Sequence, residues 1–156
     1  MVNKYNLEIT DDKHPLLVKE DSFLYDGANM TSPERIVDMI NELFRLKYQA
    51  EEYLYLCTFD NKMNVIGIFE VSHGTVNTSP ASPREVAIRA LVAGATGVIF
   101  LHNHPSQDVT PSSADKSIFI QLVRGLRLLG IDTHDFIIVG DGYYSFKDKL
   151  LYEELL

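Results

Sequence analysis

Gly97-Val98-Ile99-Phe100-Leu101-His102-Asn103-His104-Pro105-Ser106-Gln107-Asp108-Val109-Thr110-Pro111-Ser112-Ser113-Ala114-Asp115 is the stretch on which the reading of this chain turns. Its first five residues are apolar and partly β-branched, which marks a short, fully buried strand. Successive side chains on a strand point to opposite faces, so His102 and His104 point together and Asn103 points away. Pro105 has no N–H for a sheet ladder and turns the chain out of the sheet directly after the second imidazole. Ser112 then opens a long amphipathic helix and puts Asp115 in its first turn. Two imidazoles and a carboxylate are good ligands for one zinc ion. Three protein ligands without a fourth is the arrangement of a catalytic zinc, which keeps a position open for water. The stretch therefore predicts a hydrolytic site with one zinc ion per chain. Ser112-Ser113-Ala114-Asp115 also fits a capping box, in which Ser112 caps the helix and Asp115 reaches back to its first amide.

Outward from this stretch, helices and strands alternate. Ile118, Phe119, Leu122, Val123, Leu126 and Leu129 recur at helical spacing behind Ser112, and Gly130 stops the helix. Ser82-Pro83-Arg84-Glu85 starts an earlier helix, with Glu85 as capping-box partner of Ser82 and Val86, Ala87, Ala90 and Leu91 facing inward. Thr31-Ser32-Pro33-Glu34 starts another, whose Ile36, Val37, Ile40, Leu43 and Phe44 mark one face. Tyr53 to Phe59 and Asn64 to Val71 read as strands joined by a turn at Asp60-Asn61-Lys62, and Phe136 to Val139 and Tyr143 to Phe146 read as two more. This order predicts an α/β fold, a single three-layer domain with a mixed β-sheet flanked by helices. Leu16-Leu17-Val18 and Phe23-Leu24-Tyr25 read as short strands or a packed arm, dividing the chain into an N-terminal arm, 1–30, and one domain, 31–156.

His102, His104, Pro105, Ser112 and Asp115 stand in register with a His-x-His-Pro run followed by Ser-x-x-Asp. That pattern resembles the JAMM signature of the MPN/JAB metalloprotease superfamily. Pro83-Arg84-Glu85, Asn103-His104-Pro105-Ser106 and Val139-Gly140 leading to Tyr144-Ser145-Phe146, with Gly74-Thr75 and Asn77, are similar to the RadC family of bacterial JAB-domain proteins. The resemblance covers roughly residues 30 to 147. It departs at three places. Gln107 stands where the family usually has Gly, Ser82 where it has His, and Phe136 follows Asp135 where it has His, with His134 on the other side. None of the three is a ligand, and Gln107 and Ser82 are expected to act on the rim of the site and on substrate preference.

The resemblance implies a JAB/MPN, cytidine-deaminase-like fold and a zinc metallopeptidase or isopeptidase. Amide hydrolysis also needs a group that takes a proton from the zinc-activated water and passes it to the leaving amine. In the superfamily this is a Glu at the start of the first core strand, and Glu52 takes that place before Tyr53-Leu54-Tyr55-Leu56. Glu51 is the runner-up, because strand alternation lets only one of the two face the metal, and Glu70 is a third candidate. Without the resemblance, Glu52 reads as a solvated residue at the start of a strand. The superfamily gives the Ser at position 112 the role of donor to the oxyanion, worth about 2.7–4 kcal/mol where such donors have been measured. Plain N-capping is worth about 1 kcal/mol, and one hydroxyl serves both tasks only with difficulty.

Composition narrows the classes. A chain of 156 residues that is 46% hydrophobic, with nine Gly and six Pro, is long enough to bury a core and is not compositionally disordered. One cysteine excludes a disulfide framework, and Cys57 in an apolar strand pattern reads as a buried small hydrophobe. It also counts against a zinc nucleoside deaminase, which needs two thiolates. Met1 to Glu20 carries no apolar core region or cleavage site, and no segment approaches membrane-spanning length, so a cytoplasmic protein without membrane contact is expected. RadC proteins carry an association with DNA repair, and their longer members an N-terminal helix-hairpin-helix region, for which the roughly thirty residues before the first helix leave no room. A net charge of −8 with 14 scattered basic residues predicts weak direct nucleic-acid binding at most.

Zinc-dependent hydrolysis of an amide bond in a peptide or protein substrate is the leading expectation. A non-enzymatic, DNA-repair-associated partner-binding module with a structural zinc is one alternative, and a zinc hydrolase acting on nucleic acid is the other. Phosphate chemistry favours basic residues around the site, and Ser106 to Ala114 contains none, only Asp108. A peptidase site instead offers an apolar or strand-like groove beside the metal.

Overall fold

The architecture is described from a computed structural model, over residues 1–25, 30–74 and 81–149. Thr75 and Asn77, which contribute to the family resemblance, lie outside these residues. Among the described residues the elements in chain order are β1 (Val2–Ile9), β2 (Pro15–Phe23), α1 (Pro33–Phe44), a 3-10 turn (Leu46–Tyr48), β3 (Glu52–Phe59), β4 (Val65–Gly74), α2 (Pro83–Val92), β5 (Gly97–Asn103), α3 (Ser113–Arg127), β6 (Asp132–Gly140) and β7 (Gly142–Ser145). The strands form one mixed seven-stranded sheet in the order β2-β1-β4-β3-β5-β6-β7. β5 and β6 run parallel, with α3 as the crossover that parallel neighbours require. β3 is antiparallel to both of its neighbours, β4 and β5. Residues 2–23 form a hairpin whose first strand lies parallel to β4, with Lys4 opposite Ile68.

Strand alternation separates two cores. Leu54, Leu56, Val98, Phe100, Phe136 and Ile138 pack on one face against α2 and α3, through Val86, Ala90, Phe119, Leu122 and Leu126. Tyr55, Cys57, Phe59, Ile99, Leu101, Ile137 and Val139 pack on the other against Ile36, Val37 and Ile40 of α1. The sheet is thus sandwiched between helix layers, as the alternation of elements predicts. Strands buried on both faces read as continuous apolar runs, which is why β3 and β5 are plain in the sequence. Burial pushes the Cys57 thiol up to about 12, in keeping with a buried, unreactive residue.

Several local expectations need correction. α3 ends at Arg127, so Leu129 lies beyond it and is exposed, and Leu91 near the end of α2 is exposed as well. α1 is capped by Ser32 without a side-chain bond, while Glu34 accepts a hydrogen bond from the Tyr143 hydroxyl. β6 begins at Asp132, four residues before the apolar run Phe136–Val139. Its polar start is structural: Asp135 is buried and accepts from Phe136 N at 2.8 Å, Lys147 N at 3.1 Å and Ser145 Oγ at 2.5 Å, anchoring the turn after β7. Burial raises its carboxyl above the usual range, against these hydrogen bonds.

Candidate metal centre

His102 is the penultimate residue of β5 and pairs with Leu54 of β3 and Ile138 of β6, so its ring lies on the α2/α3 face. β5 ends at Asn103, and His104 already lies outside the strand, yet its N–H still donates to Val139 O at 3.1 Å, carrying the pairing with β6 one residue further. The two rings meet edge-to-face at 5.1 Å between centroids. Asp115, in the first turn of α3, completes the group: its Oδ1 is 3.4 Å from His102 Nε2 and its Oδ2 is 3.3 Å from His104 Nε2. His102, His104 and Asp115 can each turn one ligand atom to a common point, all within 4.8 Å of one another.

Both imidazoles are oriented from behind. His102 Nδ1 donates to Tyr53 O at 2.8 Å and His104 Nδ1 donates to Asp108 O at 2.6 Å. A carbonyl oxygen only accepts, so each Nδ1 carries a proton, and in the neutral form of each ring the Nε2 lone pair faces the cluster, the outer arrangement usual for metal-bound histidines. Zinc bonds of about 2.0–2.2 Å at tetrahedral angles put ligand atoms roughly 3.3–3.6 Å apart; each imidazole lies that far from one oxygen of Asp115, 3.4 Å from Oδ1 and 3.3 Å from Oδ2, and with one atom per residue the three lie within 4.8 Å. The donor set and its spacing fit the ion.

Charge suits the same role. Burial draws His102 below the usual imidazole range, against the Tyr53 carbonyl and the Asp115 carboxylate, and favours the neutral ligand form. His104 is raised, chiefly by the hydrogen bond that its charged form donates from Nε2 to Asp115, a bond that a metal ion between the two would replace. Burial alone would lift Asp115, but hydrogen bonds from His104 and Ser112 outweigh it and hold the carboxyl at about 2. The capping box is present in full. Asp115 N donates to Ser112 Oγ at 3.1 Å, and Ser112 N donates back to Asp115 Oδ2 at 2.7 Å. The Ser112 hydroxyl donates to the same Oδ2 at 2.7 Å. Capping and ligation are therefore not rivals: the cap is what aims the carboxylate.

Glu52, the first residue of β3, lies two residues before Leu54 on the α2/α3 face, and its Oε2 is 3.8 Å from His102 Nε2 with about a quarter of the side chain exposed (27%). Glu51 belongs by alternation to the opposite face with Tyr53 and Tyr55. Glu70 pairs with Tyr55 in the register of β4, away from the cluster, and accepts from His73 Nδ1 at 2.7 Å. Of the three glutamates, Glu52 is the one whose carboxylate stands beside the histidine-aspartate cluster.

The departures from the family pattern have distinct surroundings. Ser82 Oγ accepts from Glu85 N at 3.3 Å and caps α2. Phe136 is fully buried in an aromatic cluster with Phe100, Phe119 and Phe146, 6.5 Å from the His102 ring. Gln107 has a left-handed φ of 68°, where Gly carries no steric penalty, and its Nε2 donates to Lys47 O at 3.0 Å. A Cβ on Gly140 would lie 2.8 Å from the Gln107 backbone oxygen. Gly140→Ala is therefore expected to lose about 1–3 kcal/mol in denaturant unfolding, as overpacked sites do. Gln107→Gly is expected to stay within about 1 kcal/mol of wild type, since relief of the left-handed conformation offsets the lost hydrogen bond. A larger loss in Gln107→Gly would show that the bond to Lys47 outweighs the strain.

Comparison with known proteins agrees with this geometry. A family model described as RadC-like JAB domain matches residues 30–151. A UPF0758 protein of Alkaliphilus metalliredigens is 39% identical over 119 residues, 76% of this chain and 50% of the relative. One from Caldanaerobacter subterraneus subsp. tengcongensis is 36% identical over 129 residues, 82% and 54% of the two chains. One from Stenotrophomonas maltophilia (strain K279a) is 43% identical over 106 residues, 67% and 45%. The chain spans about half the length of the curated relatives it matches. The matched region begins at residue 30, after the β1–β2 hairpin, and takes in strands β3 to β7, helices α1 to α3 and the whole histidine-aspartate cluster, so this chain belongs to the RadC-like JAB domain family.

Proposed function

We propose that the domain is a zinc-dependent hydrolase of the JAMM type that cleaves an amide or isopeptide bond in a peptide or protein. The observation that carries this reading is the combination of three converging ligands with one carboxylate, Glu52, beside them and outside the ligand set. When bound, zinc lowers the pKa of a water to about 7 and polarises a carbonyl. His102, His104 and Asp115 would hold the ion. Glu52 takes a proton at its carboxylate and returns it to the leaving amine. Its partial exposure supports this, since a shuttle must reach substrate. The Ser112 hydroxyl proton is given to Asp115 Oδ2, and it reaches an oxyanion only by turning away from that carboxylate, which Ser112 N–H would continue to hold. The test is hydrolysis of a peptide library by the zinc-loaded chain, with and without chelator. Chelator-sensitive cleavage is expected; no cleavage across a broad library would favour the partner-binding module instead.

Charge argues against nucleic acid as the substrate of this domain. With net charge −8 and no basic residue between Ser106 and Ala114, binding to duplex or single-stranded DNA is expected to be weak at physiological salt and to have a shallow salt slope. Each phosphate contact would steepen log affinity by about 0.9 per tenfold rise in salt. Submicromolar binding with a steep slope would move the substrate from protein to nucleic acid. Among the described residues no helix is long and apolar enough to cross a membrane.

A further inference from the structure

Asn103 lies between the two histidines and points away from them, fully buried on the α1 side of the sheet. Its side chain makes two hydrogen bonds: Oδ1 accepts from Tyr53 N at 2.6 Å, and Nδ2 donates to Glu51 O at 2.9 Å. These two backbone groups flank Glu52 on either side. The β3–β5 ladder ends at the pair Leu54–His102, so the start of β3, still paired with β4 through Glu52–Gly74 and Tyr53–His73, has no partner strand on its β5 side. The carboxamide has a peptide's donor and acceptor and replaces that missing partner for one step. The other polar group of Tyr53, its carbonyl, is held by His102 Nδ1.

We propose that Asn103 is a positioning residue for Glu52: it clamps the peptide groups on both sides and so fixes where the Glu52 carboxylate stands relative to the metal ligands. The inference rests on the reading of Glu52 as proton carrier. The chain Asn103–Tyr53–His102 locks the proton carrier and a metal ligand to one another through a single residue. A swing of the backbone at residue 52 would carry the carboxylate away from His102 without disturbing His102, His104 or Asp115. Asn103 thus serves turnover without touching metal or substrate, from the opposite face of the sheet.

The experiment compares zinc-loaded full chains carrying Asn103→Leu, which removes both bonds at similar volume, and Asn103→Asp, which keeps the acceptor for Tyr53 N–H, each alone and with Glu52→Gln. Zinc content is expected to stay at the wild-type level, and exchange of the Tyr53 amide to accelerate in Asn103→Leu. On a peptide that wild type cleaves, kcat is expected to fall on the order of 10²-fold in Asn103→Leu with KM little changed, and by less in Asn103→Asp. In the Glu52→Gln background neither substitution should reduce turnover further, because residues acting through one group are not additive. Losses that multiply, or wild-type kcat in both variants, would overturn the proposal. If Asn103→Leu does not fold, the Asn103→Asp pair decides alone by the same rule. If wild type cleaves no peptide, the hydrolase reading fails separately. Crystal structures then decide the positioning: a Glu52 carboxylate unmoved from its place beside His102 in a folded Asn103 variant would overturn it.

Discussion

His104→Ala is expected to reduce the zinc content of purified protein from about one ion per chain to nearly none. Two of the three converging ligands would remain, His102 and Asp115, and two protein ligands do not make the three that a catalytic zinc site supplies. A melting experiment checks the same claim without elemental analysis. An ion that binds only the folded chain stabilises it by about 2.7 kcal/mol at a hundredfold excess over its dissociation constant. Chelator should therefore lower the melting temperature of wild type and leave His104→Ala unmoved. Full zinc occupancy in a His102→Ala, Asp115→Ala double variant would sink the assignment of the site.

Glu52→Gln should behave in the opposite way, keeping zinc and fold while losing amide hydrolysis. The carboxylate stands 3.8 Å from His102 Nε2 but is outside the ligand group, and a carboxamide of the same size leaves the strand pairing of β3 intact. What it removes is a group able to carry a proton, and positioned acid–base groups are worth about 10²–10⁴-fold. Elemental analysis, thermal melting and turnover on one peptide separate these effects. Glu51→Gln and Glu70→Gln are the controls, since the one precedes β3 and falls by strand alternation on the side opposite Glu52, and the other is engaged with His73. If either control lost activity while Glu52→Gln kept it, the assignment of the proton carrier would be wrong.

Much of the site was legible because its parts are close in sequence. His102, His104 and Asp115 span one strand end, one turn and one helix start, each marked by local chemistry: apolar run, proline, serine cap. Glu52 is fifty residues away, and by residue chemistry alone it cannot be told from Glu51. The decision between them came from the register that pairs Leu54 with His102, a non-local fact. In the sequence Asn103 is only the residue that points away from the two histidines. Its two partners lie at the start of a strand fifty residues earlier, and no periodicity reports a side chain that stands in for a missing strand.

The sequence by itself determined the α/β class, the central strands, helices α1 to α3 and the grouping of His102, His104 and Asp115, because hydrophobic period, caps and breakers act over a few residues. Tertiary structure decided the rest. It extended β6 back through Asp132-Thr133-His134-Asp135, where a buried carboxylate takes up backbone and hydroxyl donors from the β7 turn. It joined residues 2–23 to the sheet as a hairpin beside β4. It also put the Glu52 carboxylate beside His102 and set the Asn103 side chain against the backbone on either side of residue 52. Each of these depends on which strands lie side by side, and strand pairing joins residues far apart in sequence, so no local pattern specifies it.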